Sequence, residues 1–431
     1  MEVHFLCGRD EIAIEVPDGA EVVASCFPPP PGPADETVLS AVRDAIEAPP
    51  LGDALADRRP GDVAVVVSDV TRPIPYAAFL PGLLAEIESA GVPRDEIVVL
   101  IATGMHRPST PAERVEMFGQ HVAANYRIED HRAEDDASLV ELPAPSRSGA
   151  TVRLNRRFVE AGFRLITGLV EPHFMAGFSG GRKAVCPGLA ALETVRNFHG
   201  PAFLADPAAT NGRLHGNPLH EEARSIARMA GVDFSLNVVL DRARRVVGAF
   251  AGELEAAHDE ACRLAAAATC RRVARPADVV ITSSGGYPLD ATFYQCVKGI
   301  VSCLPAVRGG GAIVAFGACS EGIGSPEYTA LMERYAGRWR EFLADIRRGE
   351  AFVRDQWQFQ MQCRALDKVG EGNLHFVTDG LDAAALGRLS VMPHAVGPGR
   401  LRPAVQSLVD SLLSESTRVA VFPEGPYCVA V

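Results

Sequence analysis

Residues 62–104 read DVAVVVSDVTRPIPYAAFLPGLLAEIESAGVPRDEIVVLIATG. Two short, β-branched apolar runs, DVAVVVSDV (62–70) and EIVVLIATG (96–104), flank the segment YAAFLPGLLAEIESAGV, whose apolar spacing and following Gly91 predict a helix with its stop signal. Continuous apolar runs of this length are strands buried on both faces, and the order strand, helix, strand predicts a mostly parallel sheet. A third run, FRLITGLV (163–170), extends the pattern. In open sheets of this kind the ligand-binding groups sit beyond the carboxyl ends of the strands, so the residues after these three runs are where chemistry is expected.

At 431 residues the chain exceeds the size at which single cores stop growing, which predicts two domains with a cleft between them. A helical stretch from about Glu253 to Ala268 ends near CRRVARPAD, where Pro276 restrains the chain before the new run DVVITSSGG (278–286). The expected division is therefore a cofactor-binding and catalytic domain over 1–272 and a second α/β domain over 273–431. GAIVAFGACS (311–320) and FVTDG (376–380) continue the strand pattern. RVAVFPEG (418–425) reads as a last strand, and its return to the first domain is left open. FPPPPGPADE (27–36) reads as a surface connection, because consecutive prolines remove backbone donors. The fold class expected is α/β, two domains with mostly parallel sheets around an interdomain cleft.

Composition narrows the partners. With 47% hydrophobic and 22% charged residues the chain is that of a folded, soluble protein. A net charge of -12 opposes binding to a polyanion, so nucleic acid is not an expected partner. No apolar run approaches membrane-spanning length, and MEVHFLCGRDEIAIEV at the start lacks a signal-peptide pattern, so a cytoplasmic protein without a membrane partner is expected. Ten cysteines without a CxxC pair suit a reduced compartment and oppose a structural zinc cluster.

After the first run, SDVTRP sets Asp69, Thr71 and Arg72 in a loop bounded by Pro73 and Pro75. The Arg72 fork suits a carboxylate, and Asp69 suits a ribose hydroxyl or the orientation of a neighbour; standing alone, the segment reads equally as a capped turn with a surface Arg. ATGMHRPST places His106 after the second run, with Thr110 and Glu113 in the pattern of a helix capping box. Asp130 and His131 read either as a mutually orienting pair or as a solvated loop. The third run leads into EPHFMAGFSGGRKAVCPG, bringing Glu171, His173, Ser179, Gly180, Gly181, Arg182 and Lys183 together. Small residues there permit close backbone approach to a phosphate, whose charge amides, Ser179 or Arg182 can meet, and Lys183 can act as a nucleophile. GFSGGRK has neither the Walker nor the dinucleotide glycine spacing, so soluble NAD is not indicated. His199 in ETVRNFHGP is compatible with metal ligation but reads alone as structural, and ATFYQCVKG places Tyr294 and Lys298 on one helix face, Lys298 serving an anion or solvent.

Taken together, SDVTRP, GMHRP, EPHFMAGFSGGRK, His199 and YQCVK resemble the nickel-dependent lactate racemase family in identity, order and spacing across most of the chain. The resemblance implies a nickel-pincer nucleotide, a dithio-substituted pyridinium mononucleotide, attached covalently through Lys183, with His199 completing the coordination of Ni(II). It also implies His106 and His173 as the acid/base pair. It places Asp69, Thr71, Arg72, Ser179, Gly180, Gly181 and Arg182 at the cofactor. Arg72, Tyr294, Gln295, Lys298 and Trp357 in RDQWQFQ are placed at a 2-hydroxy acid substrate. Sulfur and imidazole donors suit Ni(II), which agrees with this assignment. The implied activity is inversion of C2, on acids ranging from lactate to a sugar acid such as gluconate, and the implied partners include the proteins that build the cofactor.

Two other functions compete. A zinc-type hydrolase would use His106, His173 and His199 as ligands, although no HExxH pattern supports it. A non-catalytic carrier of the nickel nucleotide would need Lys183 and His199 but not both His106 and His173. A further expectation concerns DQWQFQMQ, where Gln356, Gln358, Gln360 and Gln362 alternate with apolar residues; on a strand they would share one face, turned either to water or to the hydroxyls of a sugar acid.

Overall fold

The computed structural model of the protein describes residues 1–349 and 352–431. The chain forms two compact units, one made of Phe27–His199 and Arg213–Ala268, the other of Met1–Cys26, Gly200–Gly212 and Thr269–Val431. This differs from a single boundary at 272/273, because Met1–Cys26 and Gly200–Gly212 group with the C-terminal half. The cause is long-range pairing: Glu21–Val22 adds in parallel to the strand Val419–Phe422, which no local pattern announces. The proline-rich stretch begins at Phe27, where the chain passes from one unit to the other.

The first unit is built on a six-stranded sheet of β1 (Val63–Ser68), β2 (Ile97–Ala102), β3 (Arg127–Asp130), β4 (Phe163–Leu169), β5 (Phe234–Leu240) and β6 (Val246–Gly252). Its order is β6-β5-β4-β1-β2-β3, parallel throughout except for β6, which runs antiparallel to β5. All residues of β4 and β5 are buried, as the unbroken apolar runs require of strands covered on both faces. Helix α1 (Tyr76–Ser89) closes one side by burying Tyr76, Phe79, Leu80, Leu83, Leu84 and Ile87, a helical stripe packed on the sheet core. Helix α2 (Pro111–Asn125) starts in the expected capping box, with Glu113 N–H donating to Thr110 Oγ at 3.2 Å and Thr110 N–H to the Glu113 carboxylate at 2.8 Å. Such a cap is worth about 1 kcal/mol.

The chain runs outward from β1 through β2 to β3, then returns on the opposite side of β1 as β4. The strand order therefore reverses between β1 and β4, the kind of switch point at which open α/β sheets bind ligands beyond the carboxyl ends of their strands.

The second unit carries a parallel sheet of β7 (Ala277–Ser283), β8 (Val307–Phe316), β9 (Leu374–Thr378), β10 (Met392–Ala395) and β11 (Val419–Phe422), in the order β10-β9-β8-β7-β11, with Glu21–Val22 on the outer edge of β11. The RVAVFPEG strand thus stays beside β7 rather than returning to the first sheet. Helix α3 (Phe293–Ser302) follows β7, and helix α4 (Gln356–Val369) packs on both α3 and β8.

Helix α4 corrects the strand reading of DQWQFQMQ. Residues two apart on a helix point to nearly opposite sides and residues four apart to the same side, so the four glutamines divide into two pairs, Gln356 with Gln360 and Gln358 with Gln362, on opposite faces. All four are buried. Gln358, Gln360 and Gln362 donate to the carbonyls of Tyr294, Pro201 and Leu389 at 2.5, 2.8 and 2.6 Å, and Gln356 Oε1 accepts from Val353 N–H at 2.9 Å. Alternating polarity misled because a long amide side chain can be buried wherever a backbone partner waits for it.

Candidate active site

Three neighbouring strands deliver the site of the first unit. After β1, Asp69 is 8% exposed, and its Oδ1 accepts the Thr71 hydroxyl at 2.6 Å and the Thr71 N–H at 3.3 Å, a tight turn closed by its own first residue. The turn is braced from below, where Ser68 N–H donates to the Tyr76 hydroxyl at 2.8 Å and that hydroxyl meets Thr167 Oγ on β4 at 2.7 Å. Asp69 Oδ2 accepts from His106 Nδ1 at 2.6 Å, after β2. Burial alone would raise the Asp69 carboxyl, but the hydrogen bonds from His106 and Thr71 and the charge of Arg72 outweigh it and hold the acid below its ordinary range. The ionised Asp69 fixes the His106 proton on Nδ1, which leaves the lone pair on Nε2. The His106 side chain is 61% exposed, open to a ligand.

Arg72 crosses the switch point, its Nη1 donating to Glu171 Oε1 at 2.6 Å, beyond the end of β4. Next to Glu171, Pro172–His173 pairs with Gly177–Phe178 in a two-residue ribbon. The N–H groups of Met175 and Ala176 donate to His173 Nδ1 at 3.3 and 3.2 Å, which puts the proton of the neutral ring on Nε2. His106 and His173 therefore stand in opposite tautomers.

The ribbon leads into a turn of positive-φ glycines, Gly180 at φ 75° and Gly181 at φ 49°. A side chain at Gly180 would meet Val170 at 2.6 Å, and one at Gly181 would meet the His258 ring at 2.7 Å. Only glycine permits this approach. Asn237 on β5 anchors the turn by accepting the Gly181 N–H at 2.8 Å. Lys183 follows in the 3-10 turn Gly181–Ala184, its Nζ 5.4 Å from the centroid of the Phe198 ring. His199, next to Phe198 at the end of the helix Leu192–Phe198, packs edge-on against the same ring at 4.9 Å. Sixteen residues apart in sequence, Lys183 and His199 thus flank one aromatic ring. Burial, reinforced by the Lys183 charge, lowers His199 to about 3, so its imidazole is neutral, the form that ligates metals.

Ser179 and Arg182 are placed differently from the expectation that their side chains meet a phosphate. Ser179 Oγ donates to Leu169 O at 2.7 Å and accepts from Glu171 N–H at 3.0 Å. Arg182, 2% exposed, donates to the carbonyls of Ala176 and Phe178 at 2.9 and 3.0 Å and lies 2.7 Å from His258 Nε2. Both side chains hold the ribbon and turn in shape from within. Asp130 and His131 do not pair either: Asp130 is bound by Ser109 and Arg114, whereas His131 meets Ala190 O at 3.0 Å and Asn155 at 3.3 Å. Among the described residues no three His, Cys, Asp or Glu side chains group as a metal site, so the zinc-hydrolase reading of His106, His173 and His199 finds no cluster.

In the second unit Thr292 caps α3, with Gln295 N–H donating to its Oγ at 3.3 Å, and so presents Tyr294, Gln295 and Lys298 on the first turns. Trp357 Nε1 donates to the Tyr294 hydroxyl at 3.1 Å. The buried Gln295 Oε1 has no hydrogen-bond partner among the described residues.

Residues 7–212 match the lactate racemase N-terminal domain family and residues 273–430 the lactate racemase C-terminal domain family. A lactate racemase of Thermoanaerobacterium thermosaccharolyticum is 32% identical over 387 residues, 89% of this chain and 88% of that protein. The chain belongs to the lactate racemase family. A second member, the lactate racemase of Lactiplantibacillus plantarum, is 36% identical over 66% of each chain. The structure of the lactate racemase apoprotein from Thermoanaerobacterium thermosaccharolyticum superposes with a TM-score of 0.89 at 29% identity, covering 100% of both chains. As a lactate racemase family member the protein is an isomerase. No helix among the described residues is long and apolar enough to cross a membrane.

Sequence reasoning missed Asn237 and His258, the two residues against which the turn over 180–183 is cast. Asn237 had a signal: it is the polar interruption in the apolar run FSLNVVL, where an unpaired amide would be costly. His258 had none, since one histidine on a helix is ordinary.

The buried histidines set a pH dependence of stability. His131 is lowered to about 4 by burial, so the unfolded chain, at about 6.5, binds more protons between these values. His220, lowered to about 3, acts in the same sense. Stability is complete above about pH 6.5 and is lost as pH falls toward 4, His131 alone accounting for on the order of 3 kcal/mol. Thermal unfolding between pH 7.5 and 5 should show Tm falling steadily, with a shallower fall in His131→Gln. A Tm independent of pH over that range would contradict this.

Proposed function

We propose that the protein inverts C2 of a small 2-hydroxy acid, using His106 and His173 to move the hydroxyl proton and the family's nickel-pincer nucleotide held by Lys183 and His199. The observation that carries the reading is the pair of imidazoles beyond the ends of β2 and β4, the strands on either side of β1, in opposite tautomers. The residues present fit the nucleotide: a lysine amine and a neutral buried imidazole lie on one aromatic ring, behind a glycine turn that admits close backbone approach. When bound, the nucleotide supplies the hydride acceptor and donor for C2.

The chain's own groups do the rest. Arg72 is oriented by Glu171 and keeps further guanidinium donors for a substrate carboxylate. His106, its Nδ1–H held by Asp69, takes the hydroxyl proton at Nε2. His173 serves as the acid once it has released the Met175 and Ala176 amides and carries a proton on Nδ1 as well: it then gives its Nε2 proton to the re-forming hydroxyl and ends neutral, while His106 ends protonated. Asp69 and Thr71 bind one another and orient His106, while Tyr294, Gln295, Lys298 and Trp357 supply further contacts to substrate or cofactor. A carrier role for the protein would leave the Asp69–His106 pair without purpose. The buried glutamines of α4 give no support to a sugar acid, so monohydroxy acids such as lactate come first.

The deciding experiment offers a panel of 2-hydroxy acids to enzyme produced alongside the cofactor-building proteins, following inversion at C2 by chiral chromatography. Inversion of none of them would refute the reading. Within an active pair, Asp69→Asn should lower kcat about 10²-fold with little change in KM, because His106 loses its fixed tautomer rather than its substrate. A variant whose loss lay wholly in KM would assign Asp69 to binding instead.

A further inference from the structure

Asp355, the residue before α4, adopts the left-handed conformation at φ 67° and ψ 4°. Asp tolerates this region better than most residues, yet it is strained against extended or helical backbone, and such strain persists where the surroundings need it. The surroundings here are a hydrogen-bonded chain. Asp355 Oδ2 accepts the Ser325 hydroxyl at 2.7 Å, and Ser325 in turn receives the Tyr328 N–H at 3.2 Å. Asp355 Oδ1 accepts the Tyr294 hydroxyl at 3.3 Å, and the Tyr294 oxygen receives Trp357 Nε1–H at 3.1 Å. Gln358 meanwhile holds the Tyr294 carbonyl.

We propose that Asp355 is a positioning residue that commits the single phenolic proton of Tyr294, so that Tyr294 meets the substrate as an acceptor. The inference rests on the reading of Tyr294 as a substrate-contacting residue. A phenol has one proton to donate. With that proton directed at a carboxylate and one acceptor position filled by the Trp357 N–H, what remains toward a ligand is the second acceptor position, which suits the hydroxyl of a 2-hydroxy acid and repels its carboxylate. Burial, and then the Asp355 charge, hold the Tyr294 hydroxyl well above its ordinary range, so it stays protonated at any working pH. Selectivity for hydroxy acids over plain carboxylic acids would then come from Asp355, acting through Tyr294.

Three variants separate this from a structural role. Asp355→Gly removes the carboxylate and at the same time relaxes the left-handed backbone, so it should unfold at an equal or higher temperature. Asp355→Asn keeps an acceptor oxygen and the same backbone, and should behave close to the parent. Tyr294→Phe removes the acceptor of the Trp357 N–H. In cofactor-free protein the two tryptophans give two indole N–H resonances, assigned with Trp339→Phe. The Trp357 resonance should move in both Tyr294→Phe and Asp355→Gly and stay in Asp355→Asn. In loaded enzyme, Asp355→Gly should raise KM for the hydroxy acid about tenfold while the inhibition constant of its des-hydroxy analogue stays within about twofold. An unmoved indole resonance in Asp355→Gly, or equal weakening of hydroxy acid and des-hydroxy analogue, overturns the proposal. A moved resonance in a protein that inverts no 2-hydroxy acid would remove the racemase reading and the substrate half of the inference, leaving the orientation of Tyr294 established.

Discussion

Lys183→Ala, produced beside the cofactor-building proteins, should fold, carry no nucleotide adduct by intact-protein mass, and show no inversion of any 2-hydroxy acid. The side chain lies in a 3-10 turn whose shape is set by other groups, namely the Gly181 N–H on Asn237, the Arg182 bonds to Ala176 and Phe178, and the glycine backbone itself. Removing the amine therefore leaves the turn standing. The parent protein should show the adduct, and retention of it in Lys183→Ala would refute the attachment. His199→Ala gives the companion result, with nickel lost preferentially in elemental analysis. Full nickel with intact activity in that variant would require another ligand.

His106→Ala and His173→Ala should each cut steady inversion by about 10² to 10⁴ while leaving nucleotide and nickel bound, the usual worth of a positioned acid or base. The two should fail differently. His106 has its base nitrogen exposed by the Asp69 bond, whereas His173 must give up the Met175 and Ala176 amides before both its nitrogens can carry protons. Loss of His106 removes the group already poised as a base. Loss of His173 leaves one enantiomer able to react once, seen as a transient absorbance change without net inversion. Wild-type inversion by either fully loaded variant would disprove the two-histidine mechanism.

The placement of the candidate residues at strand ends was legible in the sequence. An unbroken apolar run must be a buried strand, a buried strand in a parallel sheet must deliver its ligand-facing residues at its carboxyl end, and SDVTRP, GMHRP and EPHF occupy those three places. The capping box at Thr110 and the helix over 76–89 followed from rules acting within a few residues, and the structure has both.

The readings that changed depended on distant partners. Gln356–Gln362 alternate like a strand, but helix α4 buries them on carbonyls from Tyr294, Pro201 and Leu389, which lie far from them in the chain. Arg182 and Ser179 look like phosphate ligands in a glycine-rich stretch, yet the Ala176 and Phe178 carbonyls beside the ribbon hold Arg182 and the Leu169 carbonyl at the end of β4 holds Ser179. The N-terminal residues belong with the C-terminal half because Glu21–Val22 finds an open edge on β11.

What the sequence by itself determined is the kind of protein: its α/β class, its family, and the three strand-end loops that carry the candidate residues. Periodicity and short-range capping specify elements, and elements in this topology specify where loops emerge. What only the tertiary structure decided is the state of particular groups: that His106 is held by Asp69 at Nδ1, that Lys183 and His199 share one aromatic ring, and that the Tyr294 hydroxyl donates to Asp355. Those states are set by hydrogen-bond partners 37 positions away for Asp69 and His106 and 61 for Tyr294 and Asp355. A direction of donation across such a distance exists only once the chain has folded to bring the two atoms together.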